Sequence, residues 1–233
     1  MKVAVLGALE EEIELLKSCL DGARSFEKAG MEVFEGSFDG IRVECVKSGM
    51  GLVAAAAATQ FLIDAFSPDA LIFSGIAGAL SNECGIGEVV IGNSAVFLDA
   101  DMNLISQDKP HLDQFSSDPH LADLASLALK SLHIPHITGK LASSNRFIGS
   151  KEAKEKAKGQ SGAEAVEMEG AAFLQICSKN DLPALVLRTI SDGACTQYSS
   201  FHHFDTSSYS HQSNKVVMKI LELLSSEKVG GKL

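Results

Sequence analysis

The 233-residue chain lacks two features that would define its partners: a surplus of basic residues and a long apolar run. Lys and Arg total 20 against 30 Asp and Glu, a formal net charge of −10 at pH 7, and no segment concentrates the basic residues. Binding to nucleic acid or to an anionic membrane surface is therefore not expected. No apolar segment reaches the roughly 20 residues that a membrane-spanning helix needs.

Cysteines are few and isolated. No two of them form a Cys-x-x-Cys pair, and the five positions are Cys19, Cys45, Cys84, Cys177 and Cys195. This spacing argues against a zinc site and against a disulfide framework, and it fits a reducing cytoplasm. The acidic run at residues 10–12 also stands where the apolar part of a secretory signal would continue. We expect a cytoplasmic protein with no metal and no cofactor.

The order of apolar runs, glycine-rich turns and helical patterns predicts an α/β fold. Strands are predicted at residues 2–6, 31–38, 41–47, 70–73, 88–98, 137–143, 165–166 and 184–190, and helices at residues 10–20, 53–66, 121–132, 151–158, 169–179 and 216–224. Asp39-Gly40 is typical of a two-residue hairpin turn. A glycine loop is predicted at residues 74–78, and a long loop at residues 103–119.

No internal repeat, low-complexity linker or change of composition marks a second domain. We therefore predict a single domain over residues 1–233. Its expected architecture is a three-layer α/β/α sandwich with a central mixed, twisted β-sheet, and the ligand is expected at the carboxyl ends of the strands.

Three short segments place acidic residues just beyond predicted strand ends, which is where α/β proteins build their ligand sites. The segments are Glu10-Glu11-Glu12, Glu167-Met168-Glu169 and Arg188-Thr189-Ile190-Ser191-Asp192. Buried charges need partners, so Arg188 is expected to meet one of the carboxylates.

Each of these segments also has a purely structural interpretation. Carboxylates in the first turn of a helix complement its dipole, a methionine can be a core residue, and a buried arginine can form a structural ion pair. A catalytic role for Asp192 would require a carboxyl group that holds and donates a proton near neutral pH.

Other chemical motifs are missing or weak. His202 and His203 are adjacent, so they point apart on an extended chain, and no acidic or cysteine ligand stands at helical spacing from them. Ser191, Ser199 and Ser200 lack a glycine-flanked nucleophile turn. The Ser74-Gly75-Ile76-Ala77-Gly78 segment lacks the lysine and the spacing of a phosphate loop, and no dinucleotide fingerprint occurs.

Taken together, the segments resemble the 5′-methylthioadenosine/S-adenosylhomocysteine nucleosidases of the purine nucleoside phosphorylase superfamily. The likeness runs from residue 1 to about residue 224. Its carriers are Gly7-Ala8-Leu9-Glu10-Glu11-Glu12, Lys47-Ser48-Gly49-Met50-Gly51, Gly75-Ile76-Ala77-Gly78, Asp99-Ala100-Asp101, Phe147-Ile148, Val166-Glu167-Met168-Glu169 and Arg188-Thr189-Ile190-Ser191-Asp192.

The resemblance implies a phosphorylase/hydrolase-like fold and hydrolysis of the N-glycosidic bond that releases adenine. By the resemblance, Glu12 would activate water and Asp192 would act as the acid toward adenine N7. Glu169 would hold the ribose hydroxyls. Met168 would pack against the sugar, Phe147 would stack on adenine, the Ile148 backbone would read the edge of the base, and Ser191 and Arg188 would support the acidic groups. The resemblance also implies further residues around the substrate, namely Leu9, Met50, Ile76, Ala77, Gly78 and Glu167.

The resemblance further implies a homodimer. Met102 and Ile105 of one subunit would close the pocket for the 5′ substituent in the other, and their apolar side chains suit a thioether tail. Phe204 is a candidate lid residue, with Phe201 as its competitor.

Three positions depart from the pattern of the family. Leu9 replaces a methionine, which conserves volume. Ile76 stands where a small hydroxyl residue is common, which would remove one hydrogen bond to water or ribose. Asn145 replaces the aspartate of a Gly-Asp pair ahead of the aromatic residue and cannot act as a carboxylate.

Three alternatives to this activity remain open. A related hydrolase acts on 6-amino-6-deoxyfutalosine in menaquinone synthesis. Its substrate differs from methylthioadenosine in the 5′ substituent. Purine nucleoside phosphorolysis would need an arginine soon after the first strand, where residues 8–14 hold four glutamates instead. A nucleoside-binding or storage protein would have lost the acids, whereas Glu12, Glu169 and Asp192 are all present.

Overall fold

The computed structural model of the chain describes residues 1–195 and 205–229. Its strands are β1 Lys2–Gly7, β2 Asp21–Lys28, β3 Met31–Phe38, β4 Ile41–Lys47, β5 Ala70–Ala79, β6 Val89–Phe97, β7 Phe115–Ser116, β8 His136–Ser143, β9 Ala165–Glu167 and β10 Ala184–Asp192. Its helices are α1 Glu14–Ser18, α2 Leu52–Phe66, α3 Met102–Ile105, α4 Pro119–Ser131, α5 Lys151–Ser161, α6 Gly170–Lys179 and α7 Ser207–Val229.

The strands form one mixed sheet in the order β10-β6-β8-β9-β5-β1-β4-β3-β2, with β7 on the edge of β6. The β10 strand also pairs with β5, so β5, β9, β8, β6 and β10 form a closed ring. The predicted α/β class and the mixed sheet are confirmed. The ring was not predicted, because strand order depends on pairings between segments that are distant in the sequence.

Helices cover both faces of the sheet, and alternate residues of the central strands serve the two cores. Leu6 and Phe73 face the layer that contains α2 and α6. Val5 and Ile72 face the layer that contains α1, α4 and α7. Strands buried on both faces have continuous apolar sequences, which is why β1, β5 and β10 were recognised from sequence.

The hairpin of β3 and β4 is confirmed. Asp39 and Gly40 both have positive φ, 49° and 76°, which is the backbone that a two-residue hairpin turn with the right twist requires.

The single helix predicted at residues 10–20 is wrong. A 3-10 turn at Glu10–Glu12 is followed by α1, and Ile13 between them has a non-helical φ of −125°. The break arises because the Glu12 side chain turns back to accept hydrogen bonds from Ala8 and Leu9. The apolar spacing alone could not show this.

Other element boundaries also differ from the prediction. The predicted loop at residues 74–78 is the second half of β5, because β10 pairs with it in parallel as far as Gly78. The β2 strand was not predicted, because it is an exposed edge strand with no apolar alternation. The predicted loop at residues 103–119 contains most of α3 and all of β7, and the last helix is longer than predicted.

The five cysteines are all free thiols, as their spacing predicts. Burial raises the pKa of the Cys45 thiol to about 12. Within the described ranges, no helix combines the length and the apolarity that crossing a bilayer would need.

Candidate active site

The carboxyl ends of β1, β5, β9 and β10 surround a cavity of about 320 Å³, within the range of small-molecule sites. Thirteen of the residues proposed from sequence line it: Leu9, Glu12, Met50, Ile76, Ala77, Gly78, Phe147, Ile148, Glu167, Met168, Glu169, Ser191 and Asp192. The lining also includes Ala8, Asn145, Arg146 and Val166, which lie beside those residues in the sequence. Of these four, Asn145 is noted above as a departure from the family pattern, but it was not predicted to belong to the site.

Glu12 is held inside the cavity wall by backbone donors. Its Oε2 accepts hydrogen bonds from the N–H groups of Ala8 at 2.6 Å and Leu9 at 3.0 Å, and its Oε1 accepts one from Ile76 at 3.0 Å. The residue is 3% exposed. A carboxylate that only complements a helix dipole would lie at the surface, so the purely structural interpretation of Glu12 does not describe this side chain.

Two glycines leave the space that Glu12 occupies. A Cβ at Gly75 would lie 2.5 Å from Glu12 Oε1, and a Cβ at Gly7 would lie 2.7 Å from Glu12 Cβ. Neither glycine has a positive φ, so close packing accounts for the absence of a side chain at both positions.

Arg188 is fully buried beneath the cavity and binds two glutamates. Its Nε and Nη2 donate to Glu167 Oε2 at 3.1 and 2.5 Å, and Nη2 also lies 3.3 Å from Glu169 Oε2. The guanidinium is 4.7 Å from the centre of the Phe73 ring. Burial alone would lower the pKa of Arg188, but the neighbouring glutamates, Glu167 first and Glu12 among them, raise it, so the cation is retained. The ion pair expected from sequence is present.

Glu167 has its oxygens occupied by protein donors. Besides Arg188, it accepts hydrogen bonds from the Ser143 hydroxyl and from the N–H groups of Glu169 and Gly170. It lines the cavity but serves mainly to fix Arg188 and the start of α6.

Glu169 precedes α6 and reaches the loop before α2. Its Oε1 accepts a hydrogen bond from the Gly51 N–H at 2.8 Å, and it does not cap its own helix. Burial raises the pKa of Glu169 to about 8, and Arg188 opposes that rise. Burial likewise raises the pKa of Glu12 against the lowering effect of Arg188. Both carboxyl groups therefore hold protons more readily than exposed glutamates do.

Asp192 stands at the end of β10, where the strand is irregular. Ile190 pairs with Ala77 and Asp192 pairs with Gly78, so Ser191 is the extra residue of a bulge. Asp192 Oδ1 accepts a hydrogen bond from the Ala194 N–H at 2.6 Å, and Oδ2 accepts one from the Ser191 hydroxyl at 3.0 Å. The bulge brings Ser191 and Asp192 to the same cavity.

Asn145 has a structural role at the start of α2. Its Oδ1 accepts the Leu52 N–H at 2.9 Å and thereby caps α2, which has no side-chain cap of its own. Asp99 holds the same loop through the Ser144 hydroxyl at 2.6 Å and the Asn145 N–H at 3.0 Å. Asn145 therefore connects the loop of Phe147 to α2.

Three sequence-predicted site residues among those described do not line the cavity. Arg188 lies behind Glu167 and Glu169, and Met102 and Ile105 lie on α3, where Met102 packs against the core of its own chain. Phe204, like its competitor Phe201, lies outside the described residues, and so do Ser199, Ser200, His202 and His203. Residues 1–195 and 205–229 contain no cluster of three potential metal ligands.

The phosphorylase superfamily model matches residues 2–222, and the chain belongs to that superfamily. The sequence-based resemblance to its nucleosidase branch is confirmed by solved structures. The 5′-methylthioadenosine/S-adenosylhomocysteine nucleosidase of Neisseria meningitidis, bound to methylthio-immucillin-A, is 31% identical with a TM-score of 0.89, over 95% of this chain and 99% of that one.

Two further solved structures are similar to this chain. The nucleosidase of Colwellia psychrerythraea in complex with adenine is 32% identical with a TM-score of 0.86, over 95% of this chain and 94% of that one. The futalosine hydrolase of Helicobacter pylori is 28% identical with a TM-score of 0.87, over 96% of this chain and 98% of that one.

Proposed function

We propose that this protein hydrolyses the N-glycosidic bond of 5′-methylthioadenosine and S-adenosylhomocysteine, releasing adenine and the 5-thioribose product. The observation that carries the proposal is the arrangement of Glu12, Glu169 and Asp192 around one cavity of about 320 Å³ in a member of this superfamily. The similarity to nucleosidases bound to a methylthio analogue and to adenine supports the choice of substrate.

Asp192 acts on the leaving group. As the bond between C1′ and N9 breaks, its electron pair moves into the purine, and a proton from the Asp192 carboxyl group goes to N7. Hydrogen bonds from Ser191 and Ala194 fix both oxygens, so the acid needs no reorganisation during the reaction.

Glu12 acts on the nucleophile. Water attacks C1′ and gives a proton to the Glu12 carboxylate, which is anchored by backbone N–H groups. Burial raises the pKa of Glu12, and a carboxylate with a raised pKa accepts a proton more readily near neutral pH.

Glu169 binds the ribose hydroxyls, and Met168 packs against the sugar. In their charged forms, Glu12 and Glu169 also stabilise the positive charge that develops at C1′. Arg188 and Glu167 act behind them as positioning residues, because their hydrogen bonds go to protein groups. Phe147 and Ile148 form the adenine end of the cavity.

Water is the acceptor rather than phosphate. A phosphate that attacks C1′ would need an available cation beside that carbon, whereas the buried Arg188 is bound to Glu167 and Glu169 and Glu12 occupies the wall beside it. Arg146 also lines the cavity, but it stands next to Phe147, at the end proposed for adenine. An additional anion would be repelled by this set of carboxylates.

A second candidate substrate is 6-amino-6-deoxyfutalosine. The similarity to the futalosine hydrolase of Helicobacter pylori favours it about as strongly as the similarity to the nucleosidases, since the TM-scores are 0.87 and 0.86–0.89. The reaction at C1′ would be the same, and only the 5′ substituent would differ.

The deciding experiment measures free adenine from three nucleosides side by side: methylthioadenosine, S-adenosylhomocysteine and aminodeoxyfutalosine. Each is incubated with purified protein, with and without phosphate. We expect adenine from methylthioadenosine in phosphate-free buffer. No adenine from any nucleoside would support a binding protein instead, and strict dependence on phosphate would support phosphorolysis.

We also propose a homodimer in which Met102 and Ile105 of each subunit line the 5′ pocket of the other. Exposed apolar side chains on and near α2 and α3 support it, since Met50, Val53 and Leu104 are 56, 79 and 65% exposed. Light scattering of Ile105→Asp should then show more monomer than the wild type, together with a raised KM for methylthioadenosine. A monomeric wild type would refute the proposal.

The free cysteines support the predicted reducing cytoplasm. We also propose a role in methionine salvage, on the basis of the proposed substrates.

A further inference from the structure

The α7 helix crosses behind the wall that holds Glu12, and two consecutive residues of α7 point into that wall. Ser213 and Asn214 are 2% and 1% exposed. Both are polar residues inside an otherwise apolar layer, where a buried polar group has to find partners. Neither residue was singled out by the sequence, because serine and asparagine in a helix carry no chemical signal of their own.

Ser213 holds the peptide group between Gly75 and Ile76. Its hydroxyl lies 3.3 Å from the Gly75 carbonyl oxygen, 3.2 Å from the Tyr209 carbonyl oxygen and 2.7 Å from Thr189 Oγ1, so it can accept from Thr189 and share its own proton between the two carbonyl groups. The N–H of the same peptide belongs to Ile76 and donates to Glu12 Oε1 at 3.0 Å. Ser213 therefore reaches Glu12 through a single peptide group.

Asn214 holds the peptide group between Glu11 and Glu12. Its Nδ2 donates to the Glu11 carbonyl oxygen at 3.0 Å, and its Oδ1 accepts the Leu16 N–H at 3.2 Å. The N–H of the Glu11–Glu12 peptide donates to the Leu9 carbonyl oxygen at 3.2 Å. Asn214 therefore fixes the backbone of the 3-10 turn that carries Glu12 and connects this turn to α1.

We infer that Ser213 and Asn214 are positioning residues for Glu12, which set the place and the hydrogen bonding of the water-activating carboxylate from outside the cavity. This inference rests on the proposed function. The two residues form hydrogen bonds with the two segments that surround the Glu12 carboxylate, namely the 3-10 turn and the Gly75–Ile76 peptide.

The physical effect is expected to be electrostatic as well as geometric. A peptide whose carbonyl accepts a hydrogen bond becomes a stronger N–H donor, because successive hydrogen bonds polarise one another. A stronger Ile76 N–H stabilises the charged form of Glu12, so losing the Ser213 hydroxyl raises the pKa of Glu12 further. Arg188 and Glu169 are the charged groups that face Glu12, and the substitution alters neither of them.

The test compares Ser213→Ala and Asn214→Ala with Ser210→Ala. Ser210 lies on the same helix, and its hydroxyl is equally buried but has no hydrogen-bond partner among the described residues, which makes it a matched control. For Ser213→Ala we expect kcat to fall about three- to tenfold with KM within about twofold. The acid limb of the pH profile of kcat/KM should move to higher pH. Ser210→Ala should retain wild-type kinetics and pH profile.

A second readout does not depend on activity. The infrared band of the protonated Glu12 carboxyl, assigned by its loss in Glu12→Gln, should titrate at higher pH in Ser213→Ala than in the wild type or Ser210→Ala. Titration at the wild-type pH would overturn the inference, and so would equal kinetic losses in Ser213→Ala and Ser210→Ala. If the wild type releases no adenine, the proposed function fails while this titration still decides the inference. If Asn214→Ala does not fold, the results for Ser213→Ala are sufficient to decide the inference.

Discussion

Glu12 and Asp192 line the same cavity, but their surroundings differ. Glu12 is 3% exposed and, among the described residues, accepts hydrogen bonds from backbone N–H groups alone, whereas Asp192 accepts one from a backbone N–H and one from a serine hydroxyl. A side-chain substitution cannot remove the backbone N–H groups that bind Glu12, whereas it can remove the Ser191 hydroxyl that binds Asp192. The Glu12 position is therefore secured by the fold, and the Asp192 position depends in part on one side chain.

Removing the proton chemistry at either carboxyl should stop turnover and leave the fold intact. Asp192→Asn and Glu12→Gln keep the shape of the side chain, but an amide can neither deliver nor accept the required proton. We expect each variant to lose adenine release by at least about 100-fold, measured as kcat, with an unchanged circular dichroism spectrum.

A matched control exists for each position. Glu11→Gln changes the neighbour of Glu12, and Asp181→Asn changes an exposed aspartate, so both should retain wild-type kcat. Near-wild-type turnover of Asp192→Asn would refute its role as the acid. If Glu12→Gln unfolds the protein, the structural interpretation of Glu12 gains support instead.

At the scale of the element, β5 determines the position of the cavity. Its first half is a core strand, and its second half forms part of the cavity wall while still pairing within the sheet. Residues before Ser74 pack in the cores, and Ile76, Ala77 and Gly78 after it line the cavity. Gly75 stands at this change and has Glu12 and Arg188 directly above it. The absence of a side chain there lets a carboxylate and a guanidinium approach the strand.

Gly75→Ala should therefore be damaging. Its Cβ would lie 2.5 Å from Glu12 Oε1 and 2.7 Å from Arg188 Nη1, so both buried side chains would have to shift. We expect a loss of about 1–3 kcal/mol in the free energy of unfolding, as for overpacked cores, together with a fall in kcat. Urea denaturation and the adenine assay measure the two effects.

The same substitution elsewhere should have the opposite sign. Gly159 lies in α5, and a Cβ there meets no described atom within 4 Å. Gly159→Ala should stabilise the protein by about 0.5–1 kcal/mol because alanine favours the helix. Equal effects at positions 75 and 159 would show that the contacts around Gly75 do not govern the result.

At the scale of the whole molecule, the site concentrates negative charge in the interior of a chain that already carries a net charge of −10. Glu12, Glu167, Glu169 and Arg188 are all buried, so three carboxyl groups share one guanidinium. Such an arrangement favours a cationic transition state but is costly to the folded protein without ligand.

This cost should appear as a dependence of stability on pH. Burial raises the pKa of Glu12, and that of Glu169 to about 8, from an ordinary value of 4.5. Between these values the folded protein binds more protons than the unfolded chain. The free energy of unfolding should therefore fall as pH rises from about 5 to about 8, as urea denaturation without ligand can measure.

Replacing Glu169 isolates the cause. Glu169→Gln should make stability less dependent on pH across this window, whereas Glu152→Gln, at an exposed position of α5, should leave the dependence unchanged. A wild-type stability that rises with pH between these limits would contradict the proposed burial of protonated carboxyl groups.

The sequence by itself determined the α/β class, the β3–β4 hairpin and most buried strands and helices, because apolar periodicity and turn residues are local properties. It also indicated the acidic segments, since strand ends are where α/β folds place their ligands. The tertiary structure alone decided that β5 runs on through Gly75, that Glu12 breaks its helix to reach Ile76, and that α7 supports Glu12 from behind. These features depend on contacts between residues 64 to 203 positions apart, and no local pattern records such contacts.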